Sequence, residues 1–341
     1  MTRIRGMIAI AAAGAAVATV LSRRAPNASL KGHVVLITGG SRGLGLALAR
    51  QFAHEGAQLA ICARVQEELD RARHDLLQRG ARVLAIPCDV SDPEQVKSLI
   101  RQTISHYGRL DILVNNAGLI QVGPIESMSI TDFENAMNVM FWGHVYTTLA
   151  VLPHMRQQGA GRIVNITSVG GKVSVPHLTP YSCAKFAAAA FSEGMRAELN
   201  GTGVKVVTIA PGLMRTGSYL NAVFKGDQQS EFAWFGAGAS LPGISMSASR
   251  AAAQIVRATR EGSAERILGV PANLLARVHG LFPGITADLL GLINRALPAA
   301  KDGEHGRRRK RLARHAILWV FTILGRRAAR EFLQPAARVQ T

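Results

Sequence analysis

The feature that most restricts this chain is a regular alternation of short apolar runs with amphipathic stretches between residues 31 and 212. HVVLITG (33–39), QLAICAR (58–64), RVLAIPCDV (82–90), LDILVNNAG (110–118), GRIVNITS (161–168) and VKVVTIAPG (204–212) have the length and β-branched content of strands. Between them, LGLALARQFAHEG (44–56), QEELDRARHDLLQRG (66–80), DPEQVKSLIRQTISHYG (92–108) and the segments around 131–158 and 180–200 have helical periodicity. Asp92 is placed to cap the third of these helices, with Pro93 at its first position. Strands separated by helices of this length form parallel βαβ units, and strands apolar along their whole length are covered on both faces. Right-handed crossovers then give a doubly wound α/β sheet, with ligand at the carboxyl ends of its strands.

The chemistry-bearing residues fall at those ends. TGGSRGLG (38–45) follows the first strand and opens the first helix, with glycines at 39, 43 and 45. Glycine lets the backbone turn tightly and approach a pyrophosphate, and the helix N-terminus supplies unpaired N–H groups. The loop residues Thr38, Gly39, Ser41, Arg42, Gly43, Leu44 and Gly45 are therefore candidate dinucleotide ligands. Arg64 ends the second strand where an NAD-selective site carries an acid for the ribose 2′-hydroxyl. With Arg42 it suits a 2′-phosphate, and so NADP(H).

TGGSRGLG, NNAG (115–118), Tyr181-Ser-Cys-Ala-Lys185, Ser168 thirteen residues before that tyrosine, and Pro211-Gly212 together resemble the short-chain dehydrogenase/reductase family over roughly residues 32–260. The resemblance implies a Rossmann-like domain that transfers hydride between nicotinamide C4 and a carbonyl or hydroxyl carbon. It implies Tyr181 as acid/base, Lys185 as its electrostatic partner and ribose ligand, Ser168 on the substrate oxygen, and Asn138 holding a water in the proton relay. A free tyrosine has a pKa of about 10, too high for base catalysis near neutrality, so a nearby ammonium has a clear purpose. Lys185 lies one helical turn from Tyr181. By the same resemblance, Asp89 and Val90 sit by the adenine, Asn115, Ala117 and Gly118 line the fourth strand's edge, and Thr216 follows Pro211-Gly212 to bind the carboxamide. Cys183, between the two catalytic positions, is expected to be buried packing. Helices 131–158 and 180–200 are those through which family members pair, so a homodimer or homotetramer is expected. No metal site is expected.

Residues 213–247 are expected to form a lid over the substrate. Leu213, Met214, Tyr219, Leu220, Val223, Phe224, Phe232, Trp234, Phe235 and Leu241 give it an apolar character that suits a lipophilic ketone or alcohol.

The ends differ from the body. The net charge of +18 divides into +5 over residues 1–31, +5 over 32–300 and +8 over 301–341. Basic ends beside apolar runs favour a membrane surface over nucleic acid. MIAIAAAGAAVATVL (7–21) reads as a short membrane anchor, a signal peptide or a helix packed on the body. Residues 266–299 alternate apolar stretches with prolines, and RRRKR (307–311) precedes HAILWVFTILG (315–325). That last run reads either as an interfacial amphipathic helix or as a basic helix capping the core. Thus 1–31 and 261–341 are extensions of a catalytic domain at 32–260, and a nicotinamide-dependent enzyme is expected on the cytoplasmic side of a membrane. Three cysteines give no disulfide framework. The rival readings are a non-catalytic NADP(H)-binding regulator or membrane scaffold.

Overall fold

The structure, a computed structural model, describes residues 29–299 and 316–334. Its centre is a seven-stranded parallel sheet: β1 (Val34–Thr38), β2 (Gln58–Ala63), β3 (Val83–Pro87), β4 (Ile112–Asn115), β5 (Gly161–Ile166), β6 (Val204–Pro211) and β7 (Glu265–Leu268), in the order β7-β6-β5-β4-β1-β2-β3. Helices α1 (Gly43–His54), α2 (Gln66–Gln78) and α3 (Pro93–Tyr107) connect the first four strands. The chain direction across the sheet reverses between β1 and β4, and a crevice opens there.

Alternation along β1 divides the core into two layers. Val35 and Ile37 pack with Leu46, Phe52, Leu59 and Ile255 on one face. Val34 and Leu36 pack with Cys62, Leu99, Leu113 and Val206 on the other. Truncating one such side chain, Leu36→Ala, costs about 2–5 kcal/mol. Asp92 caps α3 as the spacing predicts: its carboxylate accepts from the N–H groups of Glu94 and Gln95, ahead of Pro93.

The predicted helix over 131–158 is broken. It runs as α4 (Ile130–Met137), a π-helical turn (Asn138–Trp142) and α5 (Gly143–Gln157). Helix α6 (Thr179–Glu198) follows β5. The lid holds α7 (Gln228–Ser240), and α8 (Ala248–Glu261) returns to pack on α1.

The sheet does not stop at residue 260. β7 pairs with β6 in parallel register, Leu268 opposite Pro211, so the catalytic domain's edge strand lies inside what the sequence presents as an extension. The hairpin of α9 (Val270–Leu281) and α10 (Pro283–Asn294) comes next, and α11 (Ala316–Glu331) packs against the lid. Ala328 and Phe332, just past the 315–325 run, join the core, while Ile323 and Leu324 within it stay exposed. The expectations for residues 7–21 and 307–311 fall outside the described residues. Among the described residues no helix is long and apolar enough to cross a membrane.

Candidate active site

The phosphate loop is built by close packing. A Cβ on Gly45 would collide with the carbonyl oxygen of Gly39, and one on Gly39 would come within 2.9 Å of Ala117 Cα. Gly39 and Gly43 also take φ values of +63° and +55°, which other residues rarely adopt. Thr38 locks the loop to β4: its Oγ1 accepts from the N–H groups of Asn116 (2.9 Å) and Ala117 (3.0 Å). Asn116 Nδ2 donates to the carbonyls of Thr38 (2.9 Å) and Gly39 (3.2 Å). At the start of α1 the Gly43 N–H donates to the Phe332 carbonyl at 2.9 Å, and a Cβ on Gly43 would meet the Gln334 side-chain amide, which leaves the N–H groups of Leu44 and Gly45 for a ligand. The residues fit a dinucleotide pyrophosphate.

Asn115 has a different task from the one expected. It is fully buried, donating to Asn165 Oδ1 (2.9 Å) and Thr148 Oγ1 (3.3 Å) and accepting from Thr147 Oγ1 (2.6 Å). Asn165 continues to Ser192, and Ser192 to Thr208. This polar ladder ties β4, β5 and β6 to α5 and α6, and the side chain that serves the phosphate loop is Asn116. Ala117 and Gly118 stay at the strand edge, where a Cβ on Gly118 would meet Met140 Sδ at 3.6 Å.

At the adenosine end, Asp89 Oδ1 accepts from Ser91 and its Oδ2 stands 4.0 Å from Arg64 Nη1. Val90 is buried beneath it. Arg64 is 67% exposed. Glu68 of α2 reaches back to this corner, 3.4 Å from Ser41 Oγ and 3.5 Å from Arg42 Nε. Strand-end spacing gives no hint of that carboxylate, because it lies in the first turn of α2, past the strand end.

The catalytic corner joins β5 to α6. Ser168 caps a short 3-10 turn, and its Oγ accepts from the Gly170 N–H at 3.0 Å. Gly170 and Gly171 let α6 approach: a Cβ on the first would meet the Tyr181 ring at 3.1 Å, and one on the second would meet the Lys185 carbonyl oxygen at 2.5 Å. The Ser168 hydroxyl lies beside the Tyr181 phenol. Burial pushes the Tyr181 phenol above its ordinary pKa, and the Ser168 hydroxyl offsets part of that. Lys185 is buried, donates to the Ile166 carbonyl at 2.8 Å, and stands 5.8 Å from the Tyr181 ring centre. Burial lowers its pKa to about 8. Tyr181 thus holds its proton near neutrality and is poised as a donor, while Lys185 is close to its own titration.

Two expectations here are corrected. Asn138 is exposed, and the buried residues flanking it on α4 and the π turn are Ala136 and Met140. A residue midway between positions four apart points away from their shared face. Met140 therefore packs with Ala184 and Tyr181, and the relay position expected of Asn138 is apolar. Cys183 is exposed rather than buried, since the inward side of α6 is taken by Ser182, Ala184 and Lys185. One group had no sequence signal: His144, in the first turn of α5, is buried, and neither ring nitrogen has a hydrogen-bond partner among the described residues. Burial, aided by the Lys185 ammonium, depresses its pKa well below the usual value and keeps it neutral.

Pro211 and Gly212 end β6, and a Cβ on Gly212 would touch Ala272. Thr216 is buried, its Oγ1 accepting from the Ser218 N–H at 3.2 Å. A cleft of about 1300 Å³ runs from Ser168 and Tyr181 past Leu213 and Trp234 to Val270 and Leu275. Among the described residues no cluster is arranged to hold a metal ion.

Comparison with known proteins agrees with this geometry. The short chain dehydrogenase family profile matches residues 33–223. The chain is 41% identical over 199 residues to a dehydrogenase/reductase SDR family protein 7-like of Anopheles gambiae, covering 57% of this chain and 63% of that protein. It is 38% identical over 201 residues to 11-beta-hydroxysteroid dehydrogenase 1A of Arabidopsis thaliana, covering 58% and 57%. The chain thus spans about three fifths of the length of these relatives. The crystal structure of L-sorbose reductase from Gluconobacter frateurii, complexed with NADPH and L-sorbose, superposes with a TM-score of 0.64 at 26% identity, covering 72% of this chain and 97% of that one. The chain belongs to the short-chain dehydrogenase family, whose fold binds a nicotinamide cofactor.

Proposed function

We propose that this protein is an NADP(H)-dependent oxidoreductase acting on a carbonyl or secondary alcohol of a lipophilic substrate. The observation that carries the reading is the Ser168–Tyr181 hydroxyl pair at the wall of the cleft, with Lys185 one turn behind it. The bound nicotinamide would give or take the hydride. Ser168 would hold the substrate oxygen, and Tyr181 would deliver a proton to it as alkoxide character develops. Lys185 would stabilise tyrosinate and hold the nicotinamide ribose.

The preference for the 2′-phosphate rests on Arg42 and Arg64, which would exchange their contacts with Glu68 and Asp89 for the phosphate. The lipophilic substrate rests on the apolar wall formed by Leu178, Leu213, Trp234, Phe235 and Val270. The Arabidopsis relative is named for a hydroxysteroid, a molecule of that character.

The hairpin of α9 and α10 supports a membrane-facing mouth: Val270, Leu281 and Ile285 are 83%, 74% and 60% exposed, and Val270 also lines the cleft. A basic segment follows it in the chain. Such a surface suits the cytoplasmic leaflet, where anionic lipids attract arginine. Trp142, Leu149 and Phe186, exposed on the π turn, α5 and α6, suit self-association as a homodimer or homotetramer.

The test is steady-state reduction of a panel running from short polar ketones to steroid-sized ones, with NADPH and with NADH. Turnover that rises with substrate apolarity and favours NADPH supports the reading. Preference for short polar ketones contradicts the substrate class, and preference for NADH contradicts the cofactor. Tight NADPH binding without turnover on any ketone would favour a regulatory, non-catalytic role.

A further inference from the structure

The last described residues do not trail away from the molecule. They end on the phosphate loop, far in sequence from the matched family domain. Helix α11 lies on the lid through small residues: Gly325 abuts Ser240 and Tyr219, and Ala329 abuts Gly217. Phe332 is buried under the Arg50 guanidinium, 5.3 Å from its ring centre. The Phe332 carbonyl accepts from the Gly43 N–H at 2.9 Å. Leu333 then takes φ +52°, a left-handed conformation that is costly for leucine, and the Gln334 N–H turns back to the Ala329 carbonyl at 2.8 Å. Strained backbone of this kind persists where its surroundings fix it, and it concentrates at functional sites.

What the strain positions is the Gln334 side chain. Its Oε1 accepts from Asn221 Nδ2 at 2.5 Å. That bond sends Nε2 the other way, over the loop, to within 2.6 Å of where a Gly43 Cβ would stand, with Thr216 Cβ 3.9 Å from the same point. Among the described residues no acceptor takes the Nε2 hydrogens. The tail uses the Gly43 N–H and leaves those of Leu44 and Gly45, the next two in the first turn of α1, to an anion. An amide donor facing free helix N-terminal donors is the complement of a diphosphate.

We propose that Gln334 is a cofactor-binding residue: the C-terminal segment closes over the phosphate loop, and its side-chain amide donates to the dinucleotide pyrophosphate from the side opposite α1. The cofactor site is then built from both ends of the chain. Because NADP(H) and NAD(H) share the pyrophosphate, the contact is independent of the choice between them. The proposal rests on the dinucleotide reading of the loop.

The test is titration of full-length protein with NADPH, with NADH and with adenosine 2′-monophosphate, followed by fluorescence or calorimetry. Gln334→Ala is expected to raise Kd for both dinucleotides about 10–100-fold, the size of one lost hydrogen bond to a charged group. Gln334→Glu, which sets a carboxylate against the pyrophosphate, is expected to raise it further, and Gln334→Lys to restore or tighten binding. Adenosine 2′-monophosphate has no pyrophosphate and is expected to bind all variants equally. Dinucleotide affinity unchanged in the alanine and glutamate variants would overturn the proposal and leave the segment as packing only. Tighter binding in Gln334→Ala would overturn it in the opposite direction, showing a tail that competes with the cofactor. If the wild type binds neither dinucleotide, the functional reading fails with it, so the two failures are distinguishable.

Discussion

The half of the molecule that carries the phosphate loop and the half that carries the lid are built on different rules. In β1 and β4 every side chain is buried, and the loop glycines are fixed by backbone that approaches within van der Waals contact. From residue 213 onward the described strands are two-residue pairs and the four-residue edge strand β7, set among helices. The lid's aromatics form a small core of their own, in which Tyr219, Phe224 and Phe235 pack with Val122 and Ala239. Close backbone contacts shape the phosphate loop, and side-chain packing held down by α11 shapes the cleft. Loops on a fixed scaffold are where specificity is most readily changed.

The sharpest way to break this contrast is to change one side chain in each half. Gly45→Val drives a branched group into the Gly39 carbonyl and is expected to abolish dinucleotide binding and lower the melting temperature by several degrees. Phe232→Leu, at the edge of the lid core, is expected to cost less than about 1.5 kcal/mol and to change substrate KM while sparing cofactor affinity. Thermal melts and NADPH titrations on both variants decide it.

Lys185→Met separates stability from function within the catalytic corner. Burial depresses the Lys185 pKa from 10.5 to about 8, so its charged form opposes folding below pH 8, and that penalty fades as pH rises toward 10.5. The variant is expected to lose nearly all turnover yet be as stable as wild type at pH 7, or more stable by about 1–3 kcal/mol, with the gain shrinking in alkali. Denaturant melts at pH 7 and pH 10 measure the sign. Tyr181 gives a parallel expectation for the pH profile. Its raised pKa keeps it protonated through neutrality, so carbonyl reduction should hold steady there and fall in alkali, while alcohol oxidation should rise with pH.

Arg64→Ala sharpens the comparison at the adenosine edge. NADPH affinity is expected to fall about tenfold and NADH affinity to stay level. The smallest expected effect belongs to Asn138→Ala: an exposed side chain outside the cleft should alter kcat less than twofold. A loss of a hundredfold would restore the relay role that the sequence suggests.

These cases show what could be read in advance. The six apolar runs and the phosphate loop were legible because buried parallel strands and glycine turns leave composition signals at fixed spacing. Tyr181, Lys185 and Ser168 were legible because one helix and one strand end place them, without help from the rest of the fold. Asn138 was misread because the facing of a helical residue depends on which neighbours are buried, and motif order does not report that. Glu68, Met140 and His144 were missed for a related reason: each reaches the site from a helix face whose orientation is set by tertiary packing. β7 was missed because a four-residue edge strand, ERIL, half exposed, has neither the length nor the apolar run of the others.

Tyr181 is expected to move the proton while the rest of the site holds the cofactor. The most direct measurement compares wild type with Tyr181→Phe, following NADPH binding by fluorescence and ketone reduction by NADPH consumption. NADPH affinity is expected within about threefold of wild type and turnover reduced about a thousandfold or more, the size expected when a general acid is removed. Turnover within tenfold of wild type in the phenylalanine variant would contradict that role of Tyr181.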